Sequence, residues 1–353
     1  MNAFDPARLR PRLPSPLLPV DDERLTRHGL TLLLKRDDLI HPDLPGNKWR
    51  KLALNLRAAG GRPVLTFGGA YSNHLRATAA AGRLLGFPAV GVVRGDELAG
   101  RPLNPSLARC AADGMRLVFA DRATYRAKHE PATLARLLAL AGAPEDTYVV
   151  PEGGSNALAV RGCVELGREL AAATEPPDVV AVACGTGGTL AGLAAGFPGR
   201  VLGVPVLKGG FLGAEVRDLQ EAAFGGPRGE WWLDERFHGG GYARTTPELD
   251  AFARDFEARH GSRHGLAIER LYVAKMLHAV VTLAEEGAFA PGTRIAAVVT
   301  GAPEPRPDEP APADRPELAD RADRPERPER MERAGQADRA VQVDRAGRAD
   351  RPV

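Results

Sequence analysis

Short apolar runs alternate with longer stretches of helical periodicity along most of the chain. The runs Leu32–Leu34, Val64–Phe67, Ala89–Val93, Leu117–Ala120, Tyr148–Val150, Val179–Ala183, Val201–Val206 and Ile295–Val299 predict strands. Helical patterns follow most of them, over 47–58, 72–85, 103–113, 131–141, 155–174, 187–196, 211–224, 246–259 and 266–286. A strand that is apolar at every position is buried on both faces. Such strands alternating with helices predict the α/β class, with parallel sheet covered by helices on each side. The eight or so strands fit one large sheet or two smaller ones. Residues 1–20 are Pro-rich and predicted to be irregular.

Composition changes the picture only at the end of the chain. From about Pro303 the sequence is mostly Pro, Ala, Asp, Glu and Arg, with almost no apolar residues. Such a segment buries too little surface to offset its ordering entropy, so 303–353 is predicted to be a disordered tail. About 300 residues remain for folding, enough for a substantial core. The formal net charge of +2 and the absence of a basic stripe give no sign of a nucleic-acid partner. Cys110, Cys163 and Cys184 lack metal-ligand or redox spacing and read as core residues of a reduced compartment. No signal-peptide order and no run long enough to span a membrane is present, so a soluble, cytoplasmic protein is expected.

Candidate chemistry lies where strands run into polar turns, since α/β sheets bind ligands at the carboxyl ends of their strands. Gly46-Asn47-Lys48 follows the first strand and opens a helix, with Asn47 placed as its N-cap. A lysine in a first helical turn feels the positive end of the dipole, which lowers its pKa and suits it to attack an aldehyde. The competing reading makes Lys48 one of several exposed cations beside Arg50 and Lys51. Gly68-Gly69-Ala70-Tyr71-Ser72-Asn73-His74 places Ser72 and Asn73 at a helix N-terminus, where anions bind; an ordinary capped turn has the same pattern. Gly185-Thr186-Gly187-Gly188-Thr189 allows successive N–H groups to form an anion nest. That loop matches neither the P-loop nor the dinucleotide fingerprint, and suits a single phosphate; tight helix–strand packing is its alternative. Glu152-Gly153-Gly154-Ser155 reads as a structural turn.

Taken in order, Lys35-Arg36-Asp37-Asp38, Gly46-Asn47-Lys48, Ser72-Asn73-His74, Glu152-Gly153-Gly154-Ser155-Asn156 and Gly185–Thr189 resemble the family of 1-aminocyclopropane-1-carboxylate deaminase and D-cysteine desulfhydrase. These are pyridoxal-phosphate enzymes of the tryptophan-synthase-β-like fold (fold type II), and the resemblance runs from about Ser15 to Gly301. It implies two parallel-sheet domains, a large one from 1–54 with 161–302 and a small one over 55–160, and a homo-oligomer. It implies a small amino-acid substrate, with pyridoxal 5'-phosphate held by Lys48, its phenolic oxygen by Asn73 and its phosphate by Gly185, Thr186, Gly187, Gly188 and Thr189. Ser72 would bind the substrate carboxylate or act in proton transfer. Tyr272, in Leu271-Tyr272-Val273-Ala274-Lys275, and Tyr242 match active-site tyrosines of the family. Deaminases carry glutamate where this chain has Val273, and Thr300 matches the threonine of desulfhydrases, so it becomes the candidate partner of the pyridine nitrogen. The resemblance therefore implies α,β-elimination of D-cysteine to pyruvate, ammonia and sulfide, with ring-opening deamination of 1-aminocyclopropane-1-carboxylate as the alternative. Two other classes stay open at this point: a non-catalytic binder of a phosphorylated ligand, and a recruiting protein whose tail does the work.

Overall fold

A computed structural model describes residues 5–44, 46–241 and 244–301. Tyr242 and the predicted tail lie outside them. The strands are β1 (Leu17–Val20), β2 (Thr31–Lys35), β3 (Val64–Gly68), β4 (Ala89–Arg94), β5 (Arg116–Ala120), β6 (Tyr148–Val150), β7 (Val179–Cys184), β8 (Arg200–Pro205), β9 (Glu230–Leu233) and β10 (Arg294–Val298). The helices are α1 (Glu23–Thr26), α2 (Asn47–Ala59), α3 (Asn73–Leu85), α4 (Pro105–Ala112), α5 (Arg122–Arg126), α6 (Pro131–Leu140), α7 (Ala157–Ala171), α8 (Gly188–Gly196), α9 (Leu212–Phe224), α10 (Pro247–His264) and α11 (Val273–Glu285).

The strands form two sheets, of order β1-β2-β10-β7-β8-β9 and β5-β4-β3-β6. The pairing is parallel except at β1, which runs antiparallel to β2 with Leu17 opposite Lys35. Each predicted strand is present within a residue or two of its expected bounds. Two strands departed from the apolar-run rule, and both lie at a sheet edge. Residues 1–20, expected to be irregular, contain β1, where Pro19 is tolerated because an edge strand need not donate on both sides. On the opposite edge, β9 (Glu-Trp-Trp-Leu) is only half-buried and so lacks a continuous apolar signature. Central β7, by contrast, is buried at all six positions.

Helix α2 joins the two halves. Trp49, Leu52 and Leu56, at helical spacing, pack with Val64, Leu75 and Val150 in the core of the four-stranded sheet. Its polar side is anchored toward the six-stranded sheet. The Arg50 guanidinium donates to Asp37 at 2.7 and 2.8 Å and to Glu169 at 3.0 and 2.9 Å. Lys35 Nζ reaches Glu169 at 2.5 Å and the Ser15 carbonyl at 2.7 Å, and Ser15 Oγ donates to Asp37 at 2.7 Å. Much of the Lys35–Asp38 motif is thus architectural. Its Lys and first Asp fasten α2 and α7 to the turn after β2. Arg36 pairs with Asp38 and donates to the carbonyls of His264 and Gly265 at 2.6 and 3.1 Å.

Candidate active site

The turns that follow β3, β6, β7 and β10 sit at the carboxyl ends of parallel strands and converge on the head of α2. Gly46, rather than Asn47, is the N-cap of α2, at φ 60 and ψ −135, a conformation that an L side chain rarely adopts. A Cβ there would stand 1.6 Å from the carbonyl oxygen of Thr300. The chain after β10 therefore passes directly over the start of α2, and Asn47 N–H donates to Thr300 O at 3.3 Å. With Gly46 taking the cap, the Asn47 side chain bridges instead. Its Nδ2 donates to Thr189 Oγ1 at 3.2 Å and its Oδ1 accepts from Lys48 Nζ at 3.1 Å.

Lys48 is half-buried, and its ammonium is pushed down to about 7, first by burial and next by the neighbouring charge of Lys51. The helix dipole acts in the same direction. Lys51, one turn later, was missed by the sequence reasoning. It is buried, and burial lowers it to about 8. Its Nζ donates to Gly153 O at 2.7 Å, Ser155 Oγ at 2.8 Å and Thr186 Oγ1 at 3.3 Å. Ser155 Oγ and Thr186 Oγ1 are 2.5 Å apart. The Glu152–Ser155 turn, expected to be merely structural, is therefore welded to the Gly185–Thr189 loop through a buried cation. The available signal was the Lys48–Lys51 spacing of three, which puts both amines on one helix face.

Gly185–Thr189 leads from β7 into α8, whose N-cap is Gly187 at φ 77. A Cβ on Gly188 would come within 3.0 Å of the Lys51 side chain, and one on Gly185 within 3.3 Å of the Tyr272 ring. Both glycines thus leave backbone exposed between a cation and an aromatic face. On the four-stranded sheet, Ser72 is the N-cap of α3, its Oγ accepting from Leu75 N–H at 3.2 Å. Asn73 opens α3, and its Oδ1 accepts a very short hydrogen bond from the Arg76 guanidinium. His74 is buried, with Nε2 2.8 Å from Thr66 Oγ1. The Thr66 hydroxyl already donates to Val150 O at 2.8 Å, so the ring donates through Nε2 and Nδ1 keeps a lone pair. Burial, with Lys48 and Lys51 nearby, holds His74 well below its ordinary range and hence neutral.

The pattern of the family described as "Pyridoxal-phosphate dependent enzyme" matches residues 10–301. The chain belongs to that family. It is 31% identical over 296 residues to a protein of Pyrococcus horikoshii named "Putative 1-aminocyclopropane-1-carboxylate deaminase", covering 77% of this chain and 85% of that one. It is 35% identical to the D-cysteine desulfhydrase of Serratia proteamaculans over 48% of this chain and 53% of that enzyme. A solved structure described as an ACC deaminase homologue matches with a TM-score of 0.68 and 27% identity, over 85% of this chain and 94% of the other. The fold is that of the type II pyridoxal-phosphate enzymes, and the family's cofactor is pyridoxal 5'-phosphate.

The residues present fit that cofactor. An aldehyde needs an amine that loses its proton near neutrality, and Lys48 is such an amine. A phosphate needs a buried countercharge. Lys51 is a buried ammonium whose partners are neutral oxygens, set against a glycine loop whose Cβ-free backbone faces it. Of the sequence candidates, Lys48, Thr189 and Thr300 meet at the head of α2, while Tyr272 lies over Gly185. Val273 is fully buried and apolar. Among the described residues no helix is long and apolar enough to cross a membrane, and no cluster of potential metal ligands occurs.

Proposed function

We propose that this enzyme acts on a small amino acid, and that its reaction is the α,β-elimination of D-cysteine to pyruvate, ammonia and sulfide. The observation that carries the choice of substrate is the pair Val273 and Thr300. The head of α11 presents an aliphatic side chain, and Thr300 stands beside the head of α2, its carbonyl over Gly46. A hydroxyl need not protonate a pyridine nitrogen, which weakens the electron sink. Expulsion of thiolate tolerates a weaker sink better than opening of a cyclopropane ring. The similarity over 77% of this chain to a protein named for 1-aminocyclopropane-1-carboxylate favours deamination as the second reading.

When bound, the cofactor supplies the electron sink for the α-carbon. The chain supplies the rest. Lys48 is an amine that both accepts and returns a proton near neutral pH, and would serve as the base at the α-carbon. Lys51 and the Gly185–Thr189 amides would hold the phosphate, and the N-terminus of α3 with Ser72 would hold the substrate carboxylate. Asn73, kept in place by Arg76, has its amide nitrogen left to donate to the phenolic oxygen. Tyr272, whose ring lies against Gly185, would face the cofactor, and Tyr242 is the second candidate tyrosine. We place the small unit over about 55–160, with α2 shared between it and the large unit.

The test is the double substitution Thr300→Leu with Val273→Glu, assayed for sulfide release from D-cysteine and for 2-oxobutanoate from 1-aminocyclopropane-1-carboxylate. Desulfhydration is expected to fall. If it does not, the assignment of the pyridine partner is wrong, and with it the reason for preferring D-cysteine.

A further inference from the structure

Asparagine at the head of a helix usually caps it, and in α2 it does not. The helix opens on Gly46, and the carbonyl of Thr300 accepts from Asn47 N–H at 3.3 Å, so the chain after β10 closes the first donor of the helix. The Asn47 amide is left for other partners. Its Oδ1 accepts from Lys48 Nζ at 3.1 Å, and its Nδ2 donates to Thr189 Oγ1 at 3.2 Å.

Neither contact is a default of local geometry. Successive helical residues point in different directions, so the contact requires the long Lys48 chain to turn toward its neighbour. Thr189 lies 142 residues on, buried in the first turn of α8 at the end of the glycine loop. The two partners also fix which way round the amide sits. An ammonium only donates, so it must face Oδ1, and Nδ2 is left for the hydroxyl. A line of hydrogen bonds therefore runs from the Lys48 amine, through one amide, to the glycine loop.

The bond at the Lys48 end belongs to the free amine. When Lys48 condenses with an aldehyde, its nitrogen bonds the carbonyl carbon, water leaves and the ammonium proton is released, so the three donors are lost. A contact made in only one of two states favours that state.

We propose that Asn47 is a positioning residue for Lys48: its amide, oriented by Thr189, receives the lysine amine whenever that amine is not covalently engaged and keeps it beside the phosphate loop. This role rests on the pyridoxal-phosphate reading of Lys48 above.

The test compares two ligands that differ at one group. Pyridoxal 5'-phosphate carries an aldehyde where pyridoxine 5'-phosphate carries an alcohol. The ratio of their affinities for the full chain isolates what Lys48 contributes and cancels the phosphate loop. Losing a hydrogen bond from a charged donor is expected to raise the preference for the aldehyde about tenfold in Asn47→Ala, because the free amine is no longer held. Asn47→Asp, whose carboxylate holds an ammonium more firmly, is expected to lower it. A side chain that merely braced the loop would weaken both ligands alike. A ratio within about twofold of wild type in Asn47→Ala, or one that falls, overturns the proposal. Should Asn47→Ala not fold, Thr189→Val decides, since it removes the hydroxyl that orients the amide. The ratio must again rise, and one that does not move overturns the proposal. A wild type that prefers neither ligand and shows no visible band would instead sink the cofactor reading. Asn47 is then tested in the cofactor-free chain by the rate at which trinitrobenzenesulfonate labels Lys48, read by peptide mass spectrometry. A hydrogen bond to the ammonium opposes the neutral, reactive form, so labelling should quicken several-fold in Asn47→Ala and slow in Asn47→Asp. Unchanged rates overturn the proposal.

Discussion

Replacing Lys51 with Met should change the stability of the cofactor-free protein little at pH 7, although it removes three hydrogen bonds, and should leave it behind wild type as the pH rises. The folded value of about 8 lies below the ordinary 10.5 of a lysine. Between those two values the unfolded chain binds the extra proton, so stability rises with pH across that window and the full cost of burying the cation is felt below it. From these two values the cost is about 3 kcal/mol at pH 7 and about 2 kcal/mol at pH 9. Against this, the variant leaves Gly153 O short of a donor, at about 1–3 kcal/mol, while Ser155 and Thr186 still satisfy each other. The net change at pH 7 is therefore small. The pH dependence is the sharper quantity, because lost hydrogen bonds cancel from it. Wild type should gain about 1 kcal/mol on the variant between pH 7 and 9, roughly 2 °C in melting midpoint. Above pH 9 both curves should turn down together. Burial raises Cys110 to about 11 and Cys184 to about 12, and such thiols make the folded state lose ground as the unfolded chain ionises. The assay is thermal melting of cofactor-free wild type and Lys51→Met at pH 7, 8 and 9. Parallel curves, or a wild type that loses ground as pH rises to 9, would refute the reasoning. With cofactor present the sign should reverse, because on the proposed reading Lys51 would be the countercharge of the phosphate. Affinity should drop about 10²–10³-fold, the usual consequence of deleting one partner of a buried charge pair.

Other perturbations test the frame around the site. Gly46→Ala should destabilise by about 3 kcal/mol or prevent folding, because φ is positive and the new Cβ would collide with Thr300 O. A variant melting within a degree of wild type would show that the close approach is not there. Arg50→Met leaves the carboxylates of Asp37 and Glu169 buried without their main countercharge, at about 3–5 kcal/mol or roughly 10 °C in melting midpoint. The loss should shrink toward acid pH as Glu169, now held below its ordinary range by Arg50 and Lys35, takes up a proton. An unchanged loss from pH 7 to 5 would count against the network.

Much of the fold was legible because central parallel strands are apolar at each position, as in β7 and β3. What was hidden followed from the same rule. At the sheet edges one face or one hydrogen-bonding side is open, so β1 carries a proline and β9 a glutamate without penalty. The start of α11, at Val273 rather than 266, was misread because an apolar periodicity says nothing of the Glu269 carboxylate, which folds forward to accept from Leu271 and Tyr272 N–H and caps the helix late. At the site, Lys48 and the glycine loop stood out because their chemistry is local: a lysine at a helix head, and successive glycines after a strand. Lys51 did not stand out, since its partners Gly153, Ser155 and Thr186 are over a hundred residues away in sequence. Nor could sequence show that Gly46 is the cap in place of Asn47, because the reason is a carbonyl delivered from Thr300.

The most direct measurement is the visible absorption spectrum of the full chain saturated with pyridoxal phosphate, recorded beside Lys48→Ala and then with D-cysteine or 1-aminocyclopropane-1-carboxylate added. The account predicts a band in wild type that is absent from Lys48→Ala and that shifts with D-cysteine as sulfide appears. A wild type with no band, or a Lys48→Ala variant that keeps it, would contradict the assignment of Lys48 on which the account rests.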